Sequence, residues 1–285
     1  MSLVSFCVPT WNAADHLERS IRSLLAQRNV DFEIHVCDDA SQDATLRIAD
    51  RFRDARLHVH SSKGRLGLAG NWNRAVSFAT GDYVCLFGQD DVASPDLGAT
   101  LSRLLDAHPD ASLAFGRRSF DFDDEASREA LGYFFEVLYP GILDEFYAAI
   151  DVVIPSDVMR TQAMRHAFEI NLIGEPSFVL FRRDHPAVAA GFDTAMKQMV
   201  DWEFYTRLFA NSPIVQTETN LGTYRLHASG ASTGNAAQET HWAEYDHLLT
   251  LVERRFAEVL TTDEREQLAD RHREIRRLRS EHTGG

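Results

Sequence analysis

The chain has 285 residues, 44% hydrophobic, 25% charged and 10% aromatic, enough to bury one large core with or without an appendage. A formal charge of −14 argues against a nucleic-acid partner, because phosphate backbones demand clustered Lys and Arg. No run approaches the ~20 uncharged apolar residues of a membrane-spanning helix, and the stretch Met1 to Val8 lacks the basic start and long apolar run of a secretory signal. A cytoplasmic protein is the expectation.

Strand and helix patterns alternate with short connections through the first ~115 residues, the signature of βαβ units and a largely parallel sheet. Leu3–Val8 is a continuous apolar run ended by Pro9, the pattern of a strand buried on both faces. Asp15 to Gln27 then carries Leu17, Ile21, Leu24 and Leu25 at helical spacing. A second strand is expected over Phe32–Cys37, a helix from Asp43, and a short third strand over Leu57–His60. A helix over Leu68 to Ala79 leads to a fourth strand, Tyr83–Phe87, which stops abruptly at Gly88-Gln89-Asp90-Asp91. A helix from about Pro95 to Ala107 and a fifth strand, Ser112–Phe115, complete this half. Residues 117–174 lose the pattern and are expected to hold helices covering one end of the sheet. Strand character returns over Ser177–Phe181, and Asp201–Phe209 reads as a helix. Thr240 to His282 is amphipathic, with Leu248, Leu249, Val252 and Phe256 on one face. Its Arg273, Arg276, Arg277 and Arg279 form a solvated face, a peripheral membrane contact being the less favoured alternative. Cys7, Cys37 and Cys85 each fall in an apolar strand, as small buried side chains rather than a catalytic thiol or metal set.

In open parallel sheets ligands bind outside the carboxyl ends of the strands. Pro9-Thr10-Trp11-Asn12, Asp38-Asp39-Ala40-Ser41 and Asp90-Asp91 follow three such ends and should meet in one crevice. Neither G-x-G-x-x-G nor G-x-x-x-x-G-K-[ST] occurs there, which removes a dinucleotide site and a P-loop. The missing basic loop also weighs against a nucleotidyltransferase. Two adjacent carboxylates at a strand end repel each other, and a divalent cation relieves that repulsion while clamping a diphosphate. The alternative is a helix cap ahead of Pro95. Ser41 or Asp43 capping the next helix explains one residue of Asp38–Asp43, not the acidic pair before it. A carboxylate at Asp39 suits the imide N–H of a uracil or thymine base.

On these segments, together with Leu66-Gly67-Leu68-Ala69-Gly70-Asn71-Trp72-Asn73-Arg74 and Gly81-Asp82-Tyr83-Val84, the chain resembles family 2 of the glycosyltransferases. The resemblance implies an inverting enzyme with the α/β GT-A fold: a Rossmann-like, mostly parallel central sheet flanked by helices, here with a C-terminal helical extension. It implies a nucleotide-binding set of Pro9, Thr10, Asn12, Asp39, Asn73 and Asp90, with Asp91 and His227 on a Mn²⁺ or Mg²⁺ ion. Asp39 would take the base and Asp90 the ribose. The family's acidic motif often opens with an Asp two positions before Asp90, where this chain has Gly88.

Met199-Val200-Asp201-Trp202-Glu203-Phe204 resembles the segment that presents the catalytic base, which makes Asp201 the base, Glu203 the fallback, and Val200 a departure from a common Glu. A base is required because the acceptor hydroxyl must lose its proton as it attacks. Asp201 as a helix cap is the structural alternative. Glu175 in Gly174-Glu175-Pro176-Ser177 suits an acceptor hydroxyl, and Arg74 and Arg225 are candidates for phosphate. The expected domains are a transferase unit, 1–232, with a nucleotide half (1–116), a helical insertion (117–175) and an acceptor half (176–232), then a helical extension, 233–285. Expected partners are a UDP- or dTDP-sugar donor and a glycan or lipid-linked acceptor in polysaccharide or glycoconjugate synthesis. The C-terminal helices offer a face for pairing two copies, and the inner face of the membrane is the alternative location. A catalytically inactive relative that binds sugar nucleotides or glycans is the rival reading.

Overall fold

The computed structural model describes residues 2–227 and 241–283. The strands are β1 (Leu3–Thr10), β2 (Asp31–Asp38), β3 (Leu57–Ser61), β4 (Tyr83–Leu86), β5 (Val92–Ala93), β6 (Leu113–Phe122), β7 (Val153–Ile154), β8 (Val179–Arg182) and β9 (Ile214–Leu226). They form one sheet in the order β3-β2-β1-β4-β8-β6-β9-β5, with β7 also paired to β9. The long ladders β1–β2, β2–β3 and β6–β9 are parallel, as is β1–β4; the antiparallel pairings of β8, β5 and β7 are short.

Helices cover both faces. α1 (Leu17–Leu25), α2 (Thr45–Ala49) and α4 (Leu97–Ala107) pack on the side to which β1 points Val4, Phe6 and Val8. Ser5 and Cys7 alternate to the other side, where α3 (Leu68–Ser77) lies. That second core also takes α6 (Tyr139–Ala149), α7 (Ser156–Arg165), α9 (Val200–Phe209), α10 (His241–Arg255) and α11 (Thr262–Thr283). The apolar face of α10 is turned inward: Leu248, Leu249, Val252 and Phe256 are each 2% exposed or less and lie in the chain's own core. Arg273, Arg276, Arg277 and Arg279 are exposed.

Three differences from the expected elements have physical causes. β1 runs through Pro9 to Thr10, since Pro9 lies past Cys7, the last β1 residue paired with β4, and its missing N–H interrupts no β1–β4 bond. β6 continues through the polar stretch Arg117–Phe122, which sequence reading assigns to helices, because β9 pairs with it across two register shifts. The helices of that region are α5 (Glu125–Gly132), capped by Asp124, then a π-helical turn Tyr133–Leu138 leading into α6. The remaining helix, α8 (Pro186–Ala190), follows β8. All three cysteines are buried, and burial holds each thiol above its ordinary range, Cys37 at about 12, so none is a poised nucleophile.

Candidate active site

Hydrogen bonds join the loops at the carboxyl ends of β1, β2 and β4. The Asp39 N–H donates to Thr10 O at 2.8 Å, and the Asn12 N–H to Ser41 Oγ at 2.9 Å. Asn12 Oδ1 accepts from the Gln42 N–H at 2.9 Å, and the Trp11 N–H reaches Gln89 Oε1 at 2.8 Å. Thr10, 1% exposed, lies beneath this turn, its hydroxyl 3.5 Å from Asp38 Oδ1, and Pro9 precedes it within β1. Asn12 and Ala40 both take left-handed backbone, with φ of 47° and 59°, at the two loops that should meet a ligand.

Asp39 does local work as well. Its Oδ1 accepts from the Leu66 N–H at 2.7 Å and its Oδ2 from the Gly67 N–H at 2.9 Å, which fixes the loop that opens α3. Each oxygen retains acceptor capacity for a ligand N–H. Beside it Trp11, 40% exposed, lies under the Arg65 guanidinium at 3.3 Å.

Asp90 and Asp91 face different surroundings. α4 begins only at Leu97 with Asp96 at its cap position, so neither acid is the cap. Asp91 is 2% exposed. Its Oδ2 takes a short bond from the Ser177 hydroxyl, and its Oδ1 accepts the Arg225 N–H at 3.0 Å. Burial first, and then the neighbouring Asp90 charge, push its carboxyl well above the usual range. Asp90 turns outward and meets His227, Oδ2 to Nε2 at 2.8 Å; that bond raises the imidazole's proton affinity. The His16 ring lies 4.2 Å from the His227 ring, and its proton affinity is lowered by burial and then by His227. The Arg225 guanidinium pairs with Asp123 and reaches Asp90 O at 3.4 Å. At Gly88 a Cβ would stand 2.6 Å from Asp91 Oδ2 and 3.0 Å from Asp90 Oδ1, so any side chain there would displace the Asp91 carboxylate from its present place.

Among the described residues no three His, Cys, Asp or Glu side chains are grouped to hold a cation. Asp90 and His227 nevertheless form one carboxylate and one imidazole at ligand spacing, a donor set suited to Mn²⁺ or a similar ion completed by diphosphate oxygens and water. Asp91, whose two oxygens already have partners, stands behind that pair.

A second group of polar side chains is built on the turn from Asn171 to Glu175. Arg118, with a fully buried side chain, donates from Nε to Glu175 Oε2 at 2.5 Å and from Nη2 to the Tyr139 hydroxyl at 2.5 Å. Gly174 has φ 102°, and a Cβ there would meet the guanidinium at 2.2–2.4 Å. Asp201, in the first turn of α9, accepts from the Trp202 N–H at 2.7 Å and from Asn171 Nδ2 at 3.1 Å. Burial first, and then the Glu175 charge, raise its carboxyl to about 7 against the opposing pull of the Trp202 N–H. The same Glu175 charge acts on Asp91, so Asp91, Glu175 and Asp201 share one electrostatic neighbourhood. Val200 is 1% exposed in the core, and the second carboxylate near Asp201 is supplied by Glu175.

Three anticipated residues are engaged elsewhere. Asn73 bridges Phe192, donating to its carbonyl at 2.9 Å and accepting its N–H at 2.7 Å. Arg74 ties the ends of β2 and β3 together through Asp38 O at 3.3 Å and Ser61 O at 2.8 Å. Glu203, 3% exposed, is held by Arg207 and Arg255 on its two oxygens, which makes it a structural ion pair rather than a free proton acceptor. Sequence reading passed over Arg118, Tyr139, Asn171, Ser177 and His16. Of these, only the Asn-x-x-Gly spacing of Asn171 and Gly174 carried a local signal, that of a turn.

A mostly parallel sheet with acids gathered at its strand ends, and a second carboxylate-bearing helix behind an antiparallel strand, defines a fold of the GT-A type. The Glycosyl transferase family 2 profile matches residues 5–186. The chain is 31% identical over 248 residues to the uncharacterized protein MT1568 of Mycobacterium tuberculosis, covering 87% of this chain and 75% of that one. The chain belongs to glycosyl transferase family 2. Its structure is similar to Staphylococcus aureus TarS 1-349 in complex with UDP (TM-score 0.65, 15% identity, 95% of this chain and 70% of that one). It is also similar to the mannosyltransferase PcManGT of Pyrobaculum calidifontis in complex with GDP-Man and Mn²⁺ (TM-score 0.61, 17% identity, 96% of this chain and 69% of that one). Family membership makes the chain a transferase, and among the described residues no helix is long and apolar enough to cross a membrane.

Proposed function

We propose that this transferase moves a sugar from a UDP- or dTDP-linked donor to a hydroxyl of a glycan or lipid-linked acceptor, with inversion and with the help of Mn²⁺ or Mg²⁺. Polysaccharide or glycoconjugate synthesis is the setting. The observation that supports the reading is the grouping of these acids at one rim: hydrogen bonds join the Asp39 loop to the Thr10–Trp11 turn and that turn to Gln89, Asp90 next to it meets His227, Ser177 holds Asp91, and the Glu175 charge acts on both Asp91 and Asp201. Asp39 receives the imide N–H of the base, and the Trp11 turn borders it. Asp90 and His227 would hold the cation, which when bound would supply Lewis-acid neutralisation of charge on the leaving diphosphate. Ser177 and the Arg225 N–H fix Asp91, the residue that follows Asp90. Arg225 supplies positive charge next to the Asp90 backbone.

Asp201 takes the acceptor proton on a carboxylate oxygen as the hydroxyl oxygen bonds to the anomeric carbon. The carbon–oxygen bond to the diphosphate breaks on the opposite face, and single displacement inverts the centre. A base held near 7 matches proton transfer at neutral pH. Glu175 is the side chain available to orient an acceptor hydroxyl.

A thermal-shift screen of UDP, dTDP and GDP, each with and without Mn²⁺, tests the donor side. The expected result is stabilisation by UDP or dTDP that needs Mn²⁺ and is lost in Asp90→Asn and His227→Ala. Preference for GDP, or an unchanged Mn²⁺ response in both variants, overturns it. Asp201→Asn should abolish donor hydrolysis and transfer while nucleotide binding persists. Nucleotide binding with no turnover in the unaltered chain would instead mark a sugar-nucleotide-binding relative.

A further inference from the structure

We propose that Asn171 is the positioning residue for the base: its side-chain amide grips one oxygen of Asp201, turns the other face of the carboxylate to the acceptor, and keeps the group in its proton-accepting form. The proposal rests on the reading of Asp201 as the base.

The amide of Asn171 is fully engaged. Its Oδ1 accepts from the Ile173 N–H at 3.1 Å and the Gly174 N–H at 2.9 Å. Its Nδ2 donates to Gly174 O at 3.1 Å and to Asp201 Oδ2 at 3.1 Å. Two donors and two acceptors are all that an amide offers. The two backbone N–H groups also settle the amide's orientation. Flipping it would set NH₂ against two N–H donors and an oxygen against a carboxylate, so a donor must face Asp201.

The turn that carries Asn171 is itself held from behind. Asn171 O accepts the Tyr139 hydroxyl at 2.5 Å, and that hydroxyl accepts Arg118 Nη2 at 2.5 Å. Arg118 also fills the space where any side chain at 174 would project. A chain of contacts therefore runs from β6 through α6 and the turn to Asp201, with Arg118 and Tyr139 both buried. Asp201 has its Oδ1 on the Trp202 N–H, so both oxygens are pinned, one by the backbone and one by Asn171.

The charged and titratable groups around Asp201 are Glu175 on the turn, Tyr139 on α6 and Tyr205 on its own helix, with Arg118 paired to Glu175. Glu175 and burial favour the protonated acid. Asn171 is the neutral side-chain donor that opposes them, and donation to the ionised form stabilises that form.

The test follows the Asp201 carboxyl by NMR in the full chain labelled with ¹³C-aspartate, its signal identified by loss in Asp201→Asn. Asn171→Ser leaves a hydroxyl able to hold the turn but too short to reach Asp201. The Asp201 midpoint should rise by about half a pH unit or more. Asn171→Asp keeps an acceptor oxygen for both N–H groups of the turn and adds a like charge, and the apparent midpoint of the pair should rise by about one unit or more. The acid limb of Mn²⁺-dependent UDP-sugar hydrolysis should move with it. An unchanged midpoint in folded Asn171→Ser overturns the proposal; if that variant does not fold, an unchanged midpoint in Asn171→Asp does so. Failure of the underlying reading looks different: Asp201→Asn would retain hydrolysis, whatever the midpoints do.

Discussion

Replacing Asp201 by Asn should stabilise the protein at neutral pH while removing its activity. The carboxyl rises from an ordinary 3.8 to about 7 on folding, chiefly through burial. A folded value above the unfolded one means that, between pH 4 and 7, the folded chain keeps a proton which the unfolded chain releases. Wild-type stability therefore falls as pH rises across that window and levels off above 7. At about 1.36 kcal/mol per unit the full effect is about 4 kcal/mol, a ceiling because the side chain is only partly buried. Asparagine carries no such penalty. It keeps an oxygen for the Trp202 N–H and loses the bond from Asn171, about 1 kcal/mol. The variant should be slightly less stable than wild type near pH 4 and more stable by up to about 3 kcal/mol at pH 8. Urea denaturation of both proteins at half-unit steps from pH 4 to 8 measures the difference directly, and titrating groups that do not interact with Asp201 cancel in it. A difference that stays flat across that range refutes the argument, since Asp201 would then titrate alike in folded and unfolded chains.

Gly174→Ala should cost about 3 kcal/mol or more, from a strained backbone and a Cβ placed on the Arg118 guanidinium; wild-type urea midpoints would refute the packing account. Ser177→Ala orphans the Gly88 N–H, which donates to its hydroxyl at 2.7 Å, and removes a donor from Asp91, so calorimetry should show a loss of about 1–3 kcal/mol and nucleotide titration a weaker Mn²⁺ dependence. Arg255→Ala leaves the buried Glu203 carboxylate to Arg207 alone and should destabilise by about 3 kcal/mol; adding Glu203→Gln should restore part of that, and a double variant no better than the single one would refute the ion-pair account.

The alternating apolar runs of the first ~115 residues determined the parallel half of the sheet, because β1, β2 and β4 are buried on both faces and their sequences show it without reference to anything distant. That Asp39, Asp90 and Asp91 lie just past the ends of β2 and β4 was legible for the same reason, because those strand ends were. Polar strands were not legible. β9 and the second half of β6 carry Thr, Glu, Asn and Arg that become strand only when each supplies the other's hydrogen bonds. Tertiary structure alone decided which acids are free and which are engaged. Glu203 and Asp201 lie two residues apart on α9, yet one meets two guanidinium groups and the other a turn built around Arg118. Likewise Asp90 and Asp91 are adjacent in the chain, but one meets His227 and the other is sealed behind Ser177. Local sequence specifies which groups a segment carries; the partners that set their charge and freedom come from residues up to 137 positions away.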